Sequence, residues 1–171
     1  MSRNMRMIAG LAVVALFVFA SQARAGNDGH AAFERLKSFA GHWEGTSPDA
    51  AKLTADIEVT SGGNAVLERF QVLEDGKPMS MITMYYVDGD TLKLTHFCDA
   101  GNQPTMAAQY DSASGTITFD FVSGTNLKPN DMHMHHAVFT LADANHLNET
   151  WTMYKDGKSV GAETMSLTRG K

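Results

Sequence analysis

The chain has 171 residues with 14 Lys and Arg against 19 Asp and Glu. That acidic balance argues against nucleic acid or an anionic membrane surface as partner, since both need a positive footprint. A single cysteine excludes an internal disulfide, so packing alone must hold the fold.

Residues 1–25 read as a signal peptide. Arg3 and Arg6 precede an apolar run, Ile8–Ala20, and Ala23-Arg24-Ala25 supplies a small-x-small cleavage site. The run is too short and too early for a comfortable membrane span. No cysteine follows the cleavage point to carry a lipid. The expected product is an exported chain, periplasmic or secreted, with no membrane insertion once the signal is removed. Residues 26–171 are one domain's worth of chain with room for a core. Three of the 14 basic residues lie in the signal and none of the 19 acidic ones does, which leaves the mature chain at −8.

Asn27–Gly41 opens with a cap candidate, Asp28, followed by Phe33, Leu36, Phe39 and Ala40 at helical spacing. One short amphipathic helix is predicted. Gly41-His42-Trp43-Glu44-Gly45 then allows close backbone approach, with the indole plugging the end of a core.

From there the apolar pattern has period two. Lys52–Thr60 carries Leu53, Ala55, Ile57 and Val59 on one face, and Ala65–Leu73 returns after Ser61-Gly62-Gly63-Asn64. Met79–Val87, Thr91–Cys98, Thr105–Asp111, Thr116–Val122, Asp131–Leu141, His146–Lys155 and Lys158–Arg169 follow, divided by turn signals such as Asp88-Gly89-Asp90 and Asp156-Gly157. Such short, even spacing marks an antiparallel sandwich or barrel. No helix of crossover length interrupts it, so a parallel sheet is excluded. The simple meander favours a barrel, whose closure removes the edges. The predicted fold is all-β, a roughly ten-stranded antiparallel barrel with the short N-terminal helix as lid.

The order of a short helix, AGHWEG (Ala40–Gly45) and a meander ending in ETWTMYKDGK (Glu149–Lys158) resembles the calycin-type barrels. It is most similar to secreted lipocalin-like domains of bacteria, in which a segment like THFCDAGNQPTM (Thr95–Met106) also occurs. The resemblance covers nearly all of residues 26–171 and speaks to fold more than activity. A more distant likeness is to nitrobindin, a haem barrel whose start is rich in G-x-W-x-G. Here Thr46, Ser47 and Pro48 follow Gly45 without further glycines. No motif matches a haem-ligating histidine; His146 and His135 correspond by position alone, so the motif does not support haem.

Strand parity selects the residues that reach an interior. Lys93 must face water, so Leu92, Leu94, His96 and Cys98 point inward. In Asp131–Leu141, Phe139 and Leu141 favour the set holding His133 and His135 over that holding Met132, Met134 and His136. His96, Cys98, His133 and His135 then share one barrel end, a set suited to Zn or, with nearby methionine thioethers, Cu. The simpler reading is an interior histidine beside an inert thiol, with Met as flexible filler. No C-x-x-C or H-x-x-x-H spacing is present and no catalytic motif stands out; a Cys98 nucleophile would need a base and a lowered pKa. Glu68 shares a face with Val66, Phe70 and Val72, and Glu149 with Trp151 and Met153. Two inward carboxyls need partners or a solvated hollow. Gln103, in a tight loop with Asn102 and Pro104, is placed at a barrel mouth.

The function expected is binding of a small, mostly apolar molecule through His96, Cys98, Gln103, Glu68, Glu149 and His135. The alternatives are a copper or zinc site of His96, Cys98, His133 and His135, or an enzyme acting in the same cavity.

Overall fold

The computed structural model describes residues 28–46, 52–74 and 76–171; the signal peptide expected over residues 1–25 and the Ser47–Pro48 departure lie outside them. One helix, α1 (Gly29–Lys37), precedes ten strands: β1 (Gly41–Thr46), β2 (Lys52–Thr60), β3 (Ala65–Glu74), β4 (Lys77–Asp88) and β5 (Thr91–Phe97) form the first half. The second half is β6 (Gln103–Asp111), β7 (Thr116–Thr125), β8 (His133–Asp143), β9 (His146–Lys155) and β10 (Lys158–Arg169). Each strand pairs antiparallel with its sequence neighbour, and β1 closes the barrel on β10 from Trp43↔Arg169 to Thr46↔Ser166. Closure leaves no unpaired edge for another chain to extend. No helix among the described residues is long and apolar enough to cross a membrane.

The alternation read from the sequence sets which side chains fill the barrel. Leu53, Ala55 and Ile57 of β2 are buried, as are Leu92 and Leu94 of β5, Ile117 and Phe119 of β7 and Leu147 of β9. Asp156 and Gly157 both take left-handed backbone (φ 52° and 70°), the geometry a tight hairpin between β9 and β10 requires.

The helix closes one end. Asp28 caps it by accepting from the Ala31 amide at 2.9 Å, and Arg35 and Lys37 lie in its last turn, where positive charge complements the helix dipole. Its apolar stripe, Phe33 and Leu36, is buried together with Phe39. Gly29 donates to Asp90 O at 3.0 Å so closely that a Cβ there would lie 2.4 Å from that oxygen. The Trp43 indole donates to Phe39 O at 2.7 Å. Arg169 lies over the Trp43 ring at 4.2 Å and donates to Ala40 O at 2.7 Å and Ala144 O at 2.8 Å. All of these contacts fall at the end of the β4–β5, β6–β7 and β8–β9 hairpins. The helix is therefore the floor of the barrel, and the opposite end, with the β3–β4, β5–β6, β7–β8 and β9–β10 connections, is its mouth.

Candidate functional site

Above the floor lies an aromatic layer. Phe119 and Phe139 meet edge to face at 5.4 Å, Tyr85 packs on both at 5.9 and 6.1 Å, and Phe139 meets Trp151 at 5.5 Å. Beyond it the barrel is hollow. A cavity of about 680 Å³ runs toward the mouth, lined by Phe70, Val72, Trp151 and Met residues and by the polar groups of Glu68, Thr83, His96 and Glu149. Six of the eight methionines of residues 26–171 line it: Met79, Met81, Met132, Met134, Met153 and Met165. Only Met84 and Met106 do not, so most of the sulfur of this chain faces one space.

Register explains how the polar groups meet. Glu68 on β3 is opposite Thr83 on β4, and Thr83 is opposite His96 on β5, so the three form a row on the inner face. His96 Nδ1 lies 2.9 Å from Thr83 Oγ1, and its ring leans on Trp151 at 4.9 Å. His96 is 4 % exposed, and Nε2 has no partner. Burial lowers its pKa to about 4, which leaves the imidazole neutral at neutral pH.

Glu68 and Glu149 come from strands well separated around the barrel and are 2 % and 1 % exposed. Tyr85 donates to Glu68 Oε2 at 2.5 Å, and the Trp151 indole donates to Glu149 Oε2 at 3.3 Å. Glu149 Oε1 has no partner. Burial pushes both carboxyls up, and the Glu68 charge pushes Glu149 further. The Tyr85 bond works the other way on Glu68 and helps its ionised form. Glu149 is therefore the proton-bearing partner and Glu68 the one that takes charge first. Burial, then the two carboxyls, hold the Tyr85 phenol well above its ordinary range.

Cys98 lines the same cavity near its mouth. Burial raises its thiol pKa, opposite to what an activated nucleophile needs. His96 and Cys98 thus share the hollow, but the two histidines expected beside them do not line it. Ala137 and Phe139 point inward, as parity from Leu141 predicts, yet the ladder with β9 slips between Met134 and His136. The extra residue is His135. It turns the N-terminal part of β8 over, so that Met132 and Met134 line the cavity in place of His133 and His135. His135 instead stacks between Phe121 and Tyr154, with ring centroids at 4.9 and 4.0 Å, and its Nδ1 lies 2.9 Å from His133 Nε2. Burial and the neighbouring His133 lower its pKa. The expected metal set of His96, Cys98, His133 and His135 is not assembled, and no group of three or more His, Cys, Asp or Glu among the described residues is arranged to hold a metal.

Gln103 is also placed differently. It begins β6 rather than a mouth loop, and its side-chain oxygen accepts from Thr125 Oγ1 at 2.8 Å and Asn126 Nδ2 at 3.0 Å. Its amide is committed to the β6–β7 edge and does not line the cavity. The neighbour that matters is Asn102, 3 % exposed, whose Nδ2 ties the β5–β6 turn to Met132 O at 2.8 Å. His146, one of the two positional matches for a haem ligand, sits on the β8–β9 turn bonded to Asp143 at 2.8 Å, at the floor end; His135, the other, lies outside the lining. The residues not singled out from sequence are Thr83 and Tyr85. In β4 the two faces, Met79–Met81–Thr83–Tyr85 and Ser80–Ile82–Met84–Tyr86, are equally mixed, so parity alone carries no sign there.

No family model matches the sequence, and no curated protein matches it either. Among solved structures, the chain is similar to Rv2717c from M. tuberculosis, with 17% identity and a TM-score of 0.61 over 82% of this chain and 98% of that one. It is also similar to a protein of the DUF3598 family from Nostoc punctiforme, with 12% identity and a TM-score of 0.52 over 79% of this chain and 49% of that one. These similarities, with the closed ten-stranded topology, fit a calycin or lipocalin-like barrel.

Proposed function

We propose that the chain is exported and that its barrel binds one small, mostly apolar molecule between the aromatic layer and the mouth. The observation that carries this reading is the hollow itself. Its volume of about 680 Å³ falls inside the range of about 300–1,000 Å³ usual for small-molecule sites. Its walls are richest in methionine, with Phe70, Trp151 and a few convergent polar groups. Thioether side chains adapt to irregular shapes, so the wall suits a ligand of variable outline. His96, Glu68 and Glu149 orient the ligand's polar end, while Cys98 contributes to the wall near the mouth.

The test uses Nile red, a neutral apolar dye, titrated into the mature protein. Saturable one-to-one binding is expected, and Met81→Trp or Met134→Trp, each placing an indole in the hollow, should weaken it at least tenfold without lowering the melting temperature. A folded protein that binds no dye, or binding that both variants leave untouched, contradicts the reading. Export is tested by expressing the full chain in a bacterium and weighing the product. A periplasmic mass beginning at Gly26 is expected; a cytoplasmic product retaining residues 1–25 contradicts it.

A further inference from the structure

Four carboxyl side chains line the cavity, Glu68, Asp99, Glu149 and Glu163, and no lysine or arginine does. Lysines are not scarce at this end. Lys52 and Lys77 begin strands there, Lys128 lies in the β7–β8 connection, and Lys155 and Lys158 flank the β9–β10 turn, all exposed. None of them enters the wall. Lysine stems can reach over an apolar surface to place a charge where it is needed, so a hollow meant for an anionic head would have had donors at hand.

Two buried polar atoms in the wall also stand open. Glu149 Oε1 and His96 Nε2 are buried without a hydrogen-bond partner, and the Trp151 ring lies between their residues, donating to Glu149 and packed against His96. The Tyr85 hydroxyl donates to Glu68, and the Thr83 hydroxyl meets His96 Nδ1. In the tautomer with the proton on Nδ1, His96 donates to the Thr83 oxygen. The imidazole then turns a bare Nε2 lone pair to the cavity. Unpaired polar atoms buried this deeply cost stability until a partner meets them.

Resting on the reading of this cavity as a ligand site, we infer that its ligand is a hydrophobic amine, held as an ammonium against Glu68, Glu149 and His96. An ammonium brings three donors and no acceptor, which answers the His96 Nε2 lone pair and the Glu68 carboxylate at once. It supplies the counter-charge that Glu68 lacks inside the hollow. The face of Trp151 adds a cation–π surface beside it, and the methionines receive the apolar body. An alcohol of the same body has one hydrogen to give, and a carboxylate has none.

Three ligands with one apolar tail separate the possibilities: octylamine, 1-octanol and octanoate, titrated calorimetrically into the mature protein at neutral pH. Octylamine should bind at least tenfold tighter than 1-octanol, with octanoate weakest. In the paired variant Glu68→Gln, Glu149→Gln, the amine-to-alcohol ratio should fall to within threefold of unity. Octanoate or 1-octanol binding as tightly as octylamine to the native protein overturns the inference and leaves the cavity reading standing. Binding of none of the three overturns both. The native comparison decides alone should the paired variant fail to fold.

Discussion

The floor and the mouth of this barrel are built from the same ten strands by opposite rules. At the floor, Trp43, Phe39 and Leu36 are fully buried, the Trp43 indole is bonded to Phe39 O, and Arg169 clasps β1, β10 and the helix end together. Toward the mouth, the wall is left hollow, two carboxyls are buried side by side, and His96 Nε2 and Glu149 Oε1 remain unpaired. The stability of the whole is thus concentrated at one end, which lets the other carry groups that are unfavourable by themselves. A well-packed floor tolerates a strained, polar hollow above it because closed ladder pairing transmits its order up every strand.

Substitution should separate the two ends. Trp43→Ala removes a fully buried indole with its bond to Phe39 O and should cost about 3–5 kcal/mol in denaturant unfolding. Met79→Ala, in the cavity wall where the side chain is only half-buried, should cost less than about 1 kcal/mol, since one flank already faces open space. Similar costs at both positions would mean that the mouth half is packed as tightly as the floor.

Acid titration of stability sharpens the contrast. An unfolded His protonates near its ordinary value of 6.5, whereas folded His96 resists until about 4. Its share of the stability is complete above 6.5 and is lost as the pH falls toward 4, a loss of about 3 kcal/mol. His96→Gln should flatten that acid limb in urea unfolding measured across the window. Glu149 has the opposite sign. Its folded pKa is raised, so the native state holds the proton longer than the unfolded chain, and stability falls as pH rises from about 4.5 through the folded value. Glu149→Gln should therefore gain on the native protein as pH rises, measured in the same titration. A pH-independent difference between the two would mean that neither group is buried as described.

The smallest effects belong outside the hollow. Gln103→Ala should loosen the β6–β7 edge by about 0.5–1 kcal/mol, the scale of one or two partly exposed hydrogen bonds, and should leave Nile red affinity within twofold. His135→Ala removes the ring between Phe121 and Tyr154 and should likewise spare dye binding. A tenfold loss in either variant would move the site to the outer face.

Much of this division is legible in the residues. The period-two pattern and hairpin turns mark ten strands, and parity places Glu68, Glu149, His96 and Cys98 inside. Three features escape it for physical reasons. The bulge at His135 carries no glycine or proline to mark it, yet one added residue reverses every side chain before it. The helix is recognisable, but nothing local says which end of a barrel it closes; the approach of Gly29 to Asp90 and the bond from Trp43 to Phe39 decide that, and both are tertiary. Parity places Trp151 on the inner face but not its height, and it lines the cavity, because that height along β9 depends on registers that run through the whole ladder.

The eight methionines of residues 26–171 offer the most direct test of where the ligand sits. With their methyl groups labelled with carbon-13, titration with Nile red should shift the resonances of Met79, Met81, Met132, Met134, Met153 and Met165, which line the hollow. Met84 and Met106, which do not, should stay in place. Unmoved wall methionines under saturating dye, or a response led by Met84, would contradict the account.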